Sequence, residues 1–80
     1  MSALKHGITK AQILQVLSDH NVTRYFPLHE DAQSNPQEMA IGYTQKGVLL
    51  EIGVRYMDNF DDVFHANRVS SKYRQLYEAP

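Results

Sequence analysis

Apolar and polar positions alternate most cleanly in the middle of the chain. Val48, Leu50, Ile52, Val54 and Tyr56 share one parity, and Met39, Ile41 and Tyr43 alternate against Ala40 and Gly42 just before them. This pattern predicts two strands joined as a hairpin. Thr44-Gln45-Lys46-Gly47 is the connection, with Gly47 where a short loop with a bulge needs a positive φ. The other parity of the second strand, Leu49, Glu51, Gly53 and Arg55, is partly polar and predicts a face turned to solvent, a ligand or a partner.

The flanking segments have different periods. Ile8-Thr9-Lys10-Ala11-Gln12-Ile13 reads as a helix start: Thr9 and Gln12 match a capping box, and Ile8 and Ile13 match a hydrophobic staple. Ile13, Leu14 and Leu17, helped by Val16, give that helix its apolar stripe, and Asp19-His20-Asn21 ends it. Residues 22–28 are β-branched and aromatic, but Pro27 cannot donate to a ladder, so this strand is predicted at an edge or ending there. A polar loop over 29–36 closes on Asn35-Pro36. After a turn at Asp58-Asn59-Phe60-Asp61, Val63–Ala66 is predicted as a further meander strand. Val69, Tyr73, Leu76 and Tyr77 then follow the spacing of one helical face, with Ser70 as N-cap. The order helix, four strands, helix predicts one α+β domain on a twisted antiparallel sheet spanning 1–80.

Composition narrows the class. Eighty residues make one small domain with a thin core. An apolar content of 42% fits a globular chain, and no apolar run approaches the roughly 20 residues of a membrane span. Without cysteine there is no disulfide, thiolate metal site or thiol nucleophile. No secretion signal is recognised, so the expected location is the cytoplasm. The formal net charge of −1 excludes the diffuse attraction to nucleic acid of a strongly basic domain, so any such binding needs a local patch.

The end of the chain supplies one. Arg68, Lys72 and Arg74 face only Glu78 over 63–78, beside His65, Tyr73 and Tyr77. Acids gather elsewhere, at Glu30, Asp31 and Glu38 and at Asp58, Asp61 and Asp62. A His, cations and phenols at a strand-to-helix junction suit a phosphodiester, but plainer readings stand beside this one. The cations fit ordinary exposed charges, although near a helix start they oppose its dipole. The tyrosines fit a packed helix face, and His65 fits a structural ring held by Asp61 or Asp62. The four histidines match no zinc ligand spacing, so no metal is expected. No phosphate-binding glycine loop, nucleophile elbow or paired-carboxylate spacing is present.

Three motifs in order resemble the BrnT and RelE-like toxins of bacterial toxin–antitoxin systems and the small domains related to them. Lys5-His6-Gly7-Ile8-Thr9 is similar to the family's Lys-His-Gly-Val-Ser opening. Ile41-Gly42-Tyr43-Thr44-Gln45-Lys46-Gly47-Val48-Leu49-Leu50-Glu51-Ile52 is similar to its Gly-x-Thr-x-x-Gly-x-Leu-Leu-x-Val hairpin. His65-Ala66, Lys72-Tyr73 and Leu76-Tyr77-Glu78 resemble its closing strand and helix. The resemblance covers roughly residues 5–78.

It implies a RelE-like fold and a metal-independent, cofactor-free endoribonuclease, in which a 2′-hydroxyl attacks its own phosphate and translation is blocked. Such a site needs a base, an acid and cations. Carried over by position, Arg68 and Lys72 bind the phosphate, His65 is general base or acid, and Tyr77 orients or stacks a base. Arg55, Arg74, Lys5 and His6 are the further RNA contacts. Asn67 and Tyr73 depart from the BrnT pattern of Arg and Glu, which bears on catalysis more than on fold. The implied partners are an antitoxin or other protein, RNA or the ribosome, and a second copy of the chain in a homodimer. A non-catalytic module binding a protein through the same scaffold is the alternative, and RNA binding without cleavage is a third.

Overall fold

Thr9 opens the first helix in the computed structural model, which describes residues 7–80. Its hydroxyl accepts the Gln12 N–H at 3.1 Å while the Gln12 side chain accepts the Thr9 N–H at 2.8 Å, so the capping box is complete. Helix α1 (Lys10–Ser18) buries Ile13 and Val16 in one cluster with Ile8, and Leu17 packs against it. Leu14, expected on the same stripe, is 53% exposed. Ile13, Val16 and Leu17 at i, i+3 and i+4 define the inner face, and Leu14 is turned about 100° from Ile13 around the axis.

Four strands follow: β1 (Arg24–Leu28), β2 (Gln37–Tyr43), β3 (Leu49–Tyr56) and β4 (Asp61–Arg68). They form one antiparallel sheet in the order β1-β2-β3-β4. Pro27 lies in an edge strand, where its missing N–H costs no ladder bond. The first strand begins at Arg24 rather than Val22. The Asp19 carboxylate accepts the Asn21 and Val22 N–H groups, and the Thr23 hydroxyl donates to the Val16 carbonyl, so residues 21–23 serve the end of α1 instead. At the hairpin, Gly47 has φ +81 and the Thr44 side chain accepts the Val48 N–H, which keeps Val48 in the turn. The last strand runs two residues further at each end than the apolar run Val63–Ala66 suggested, because pairing with β3 extends from Tyr56↔Asp61 to Leu50↔Arg68.

The two parities of the sheet carry two cores. Ala40, Leu50, Ile52, Val54 and Ala66 lie under α1. Met39, Ile41 and Leu49 lie on the opposite face, packed by Phe26, Leu28, Val69, Tyr73 and Tyr77. The last two tyrosines belong to α2 (Ser71–Glu78), so the sheet is the middle of three layers. The second parity of β3 is therefore not open to solvent. Leu49 and Glu51 are buried, because α2 folds back over them. Leu76, the remaining member of the helical stripe, stays 39% exposed at its margin.

Both ends of α2 are tied to the sheet. Ser70 caps its start, accepting the Tyr73 N–H. Its last turn holds no basic residue, but the Arg24 guanidinium reaches across from β1 and donates to the carbonyls of Tyr77 at 2.6 Å and Ala79 at 2.9 Å. A cation there satisfies free carbonyls and favours the helix dipole.

The 29–36 loop is organised by Asp31. Its carboxylate accepts the N–H groups of Gln33 and Asn35 and the Asn35 side-chain amide, and it pairs with Arg55 at 3.2 Å. Hydrogen bonds from the Asn35 side chain and backbone, then Gln33 and the Arg55 charge, hold the Asp31 carboxyl below its usual value. A carboxyl whose folded pKa lies below its unfolded one adds stability above the unfolded value, and that gain fades as pH falls through the folded value. Asp31→Asn is therefore expected to lower the melting temperature at neutral pH, with the gap to the parent closing as acid is added below about pH 4. A constant gap down to pH 2 would show that charge has no part in the loop.

Candidate active site

The sheet and α2 meet around one buried acid. Glu51, 7% exposed, lies on the α2 side of β3. Its Oε1 accepts the Ser70 N–H at 2.6 Å, at the helix N-cap, and its Oε2 lies 2.9 Å from His65 Nε2. The His65 side chain is 34% exposed against 9% for Glu51. A carboxylate only accepts, so against an ionised Glu51 the ring carries a proton on Nε2, and in the neutral ring Nδ1 is then the acceptor. Among the described residues Nδ1 makes no hydrogen bond. A half-exposed imidazole oriented by a buried carboxylate is the arrangement of a general base held in one tautomer.

His65 reaches Glu51 because β4 is bulged. The pairing steps from Gly53↔His65 to Val54↔Val63, leaving Phe64 unopposed. The extra residue puts the Phe64 ring and His65 on the same face of the sheet. Gly53 makes room for both: a Cβ there would meet Phe64 ring carbons at 2.7 and 2.9 Å and the His65 Cβ at 3.1 Å. The outer side of the Phe64 ring faces Arg55, whose guanidinium carbon is 4.9 Å from its centroid.

The other sequence-derived site residues are spread over the α2 side of the molecule. Arg55 pairs with Asp31 and Asp62 and donates to Gln37, so its charge is matched within the fold. Arg68 and Arg74 flank a shallow depression beside Gly47, Val48 and Leu49, and Arg74 is 3.9 Å from Glu78. Lys72 lies on another surface, 5.4 Å from the Tyr73 ring centroid, and lines a groove with Phe26 and Leu28 of β1. Tyr77 sits near the C-terminal end of α2: its hydroxyl donates to the Val22 carbonyl at 2.8 Å and its ring meets Tyr43 edge-on at 5.8 Å. Burial, then Tyr43, pushes its pKa up, so the phenol stays a donor. Lys5 and His6 lie outside the described residues.

Neither Asp61 nor Asp62 holds the His65 ring; Glu51 does. Asp62 pairs with Arg55 instead. Glu51 is the member of this candidate site that sequence reasoning does not single out. The available signal was a single acid inside the most regular apolar alternation, where an unpaired carboxylate would be costly. On the α1 side, the Tyr56 hydroxyl donates to Glu38 at 2.6 Å, and burial followed by Glu38 pushes the phenol pKa well up, which keeps the phenol protonated as the donor of this bond. Among the described residues no three His, Cys, Asp or Glu side chains come together as a metal site, and no described helix is long and apolar enough to cross a membrane.

No family model, curated protein or solved structure matches this chain.

Proposed function

We propose that this chain is a metal-independent endoribonuclease toxin of a toxin–antitoxin pair, with His65 as its acid–base residue and Glu51 as the group that positions it. The His65–Glu51 contact carries the reading. Its support from sequence is the ordered resemblance of the opening, hairpin and closing motifs to BrnT and RelE-like toxins. In the proposed reaction His65 Nδ1 takes the proton of a ribose 2′-hydroxyl. The 2′-oxygen bonds to the adjacent phosphorus, the bond from phosphorus to the 5′-oxygen breaks, and the proton is returned to that leaving oxygen by the imidazolium or by water. Lys72, which the resemblance assigned to the phosphate, lines a groove at the β1 edge away from His65, so it is not proposed for the scissile phosphate, and an antitoxin is the proposed partner.

Expression of the chain alone under tight control, with growth followed and new 5′ ends mapped in total RNA, tests this beside His65→Ala. Growth arrest with new RNA ends is expected, and both vanish in a folded His65→Ala variant, since acid–base groups contribute about 10²–10⁴-fold to rate. Normal growth and unchanged RNA in the presence of folded protein would discard the enzyme. The matched charge of Arg55 and the engaged hydroxyl of Tyr77 then favour a module whose function is to bind a protein partner.

A further inference from the structure

A groove of about 450 Å³ runs between the β1 edge and α2, and the cleavage reading leaves it without a role. Phe26 and Leu28 form one wall, Tyr73 and Leu76 the other, and His29 and Lys72 stand at its margins. The residues lining it include the rings of Phe26 and Tyr73, one lysine, one histidine and no carboxylate. Arg24 adds a second cation to that of Lys72, 5.3 Å from the Phe26 ring centroid. In a chain whose formal net charge is −1, this is a local concentration of positive charge against aromatic surface.

Its position relative to His65 follows from the strand register. Phe26 pairs with Met39, Met39 with Gly53 and Gly53 with His65, so the groove and the imidazole lie at opposite ends of one cross-strand row. Three strand spacings of about 4.8 Å separate them, a length that a dinucleotide can cover. Along that row Met39 and Gly53 are buried, and the Phe64 ring covers the sheet beside His65.

We infer that the β1–α2 groove binds one nucleotide of a single-stranded RNA, with the base against Phe26 and Tyr73 and its phosphate near Lys72, while the neighbouring chain continues toward His65. This rests on the endoribonuclease reading for its direction, and on the groove's own charge and aromatic lining for its ligand. Aromatic faces accept any base, and cations follow the backbone, so binding is expected to be tolerant of sequence and weakened by salt. An acidic protein segment would meet the same cations but makes less use of two rings set across a slot.

A fluorescent 2′-O-methyl oligoribonucleotide, which lacks the attacking hydroxyl, reads binding apart from chemistry. Its anisotropy titration is compared for the parent chain, Lys72→Glu, Leu76→Glu and Lys46→Glu. Lys72 and Leu76 are exposed, so neither change disturbs the core, and Lys46 on the hairpin turn controls for net charge. Affinity is expected to fall about tenfold in Lys72→Glu and Leu76→Glu, on the scale of one stacked base, and to stay within about twofold in Lys46→Glu.

Equal losses in all three variants, tight binding untouched by the two groove variants, or no binding by the parent would each overturn the groove. So would an oligoglutamate peptide that binds as tightly as the RNA with the same dependence on Lys72. If the expected pattern holds while RNA in cells remains uncut, the groove stands and the cleavage reading fails. If RNA is cut but the groove variants bind normally, the reverse is true.

Discussion

Glu51→Gln is expected to leave the chain folded and to remove most of its cleavage of RNA. The amide oxygen can still accept the Ser70 N–H, so the start of α2 keeps its anchor. The amide nitrogen, however, then faces His65 Nε2 and must donate to it. The ring proton moves to Nδ1, and the nitrogen proposed to take the 2′-hydroxyl proton becomes a donor. A rate loss of about 10²–10⁴ is expected, against a stability change of about 1 kcal/mol. Nitrogen chemical shifts of the His65 imidazole report the tautomer directly. Full cleavage by a variant shown to carry its proton on Nδ1 would end the dyad proposal, whereas Glu51→Leu would not separate the two effects because it also strips the helix anchor.

The second large effect is on stability. Gly53→Val is expected to cost about 1–3 kcal/mol, because the new side chain occupies the space of the Phe64 ring and presses on the His65 Cβ. For a domain of this size that is a fall of roughly 5–20 °C in melting temperature, read by circular dichroism. Phe64→Ala in the Gly53→Val background is expected to restore part of the loss by vacating the ring's place. An unchanged melting temperature in Gly53→Val would mean that Phe64 moves aside freely, and that the bulge does not fix His65.

Most of the architecture was legible because it rests on local rules. The capping box at Thr9, the Ser70 cap, the positive φ at Gly47 and the edge position of Pro27 are each dictated by a few neighbouring residues, and each is found where the sequence put it. What local pattern did not reveal was how α2 returns over the sheet. Alternation marks which β3 residues share a face but is silent on what covers that face, so Leu49 and Glu51 read as half-open when α2 buries them.

The site was only partly legible for the same reason. His65 was singled out by its chemistry, but its partner depends on a one-residue bulge that no turn residue announces. Arg68, Lys72 and Arg74 lie close in sequence, yet at about 100° per residue Lys72 and Arg74 point to different sides of α2, so Arg74 shares a depression with Arg68 while Lys72 lines another. Arg24 and Asp31 had no assigned task, since their partners lie on a distant helix and in a loop whose shape the carboxylate itself creates.

The double tethering of α2 couples parts of the molecule that are far apart along the chain. Its first turn hangs on Glu51 in a central strand, and its last carbonyls are held by Arg24 on the edge strand β1. Strand β1 is the shorter of the two edge strands, five residues against eight in β4, so by itself it would be first to fray. With Arg24 bound to the helix, releasing that strand also uncaps α2 and exposes the tyrosines beneath it. The edge of the sheet and the closing helix thus form a single cooperative opening unit, and anything that clamps the slot between them steadies both together.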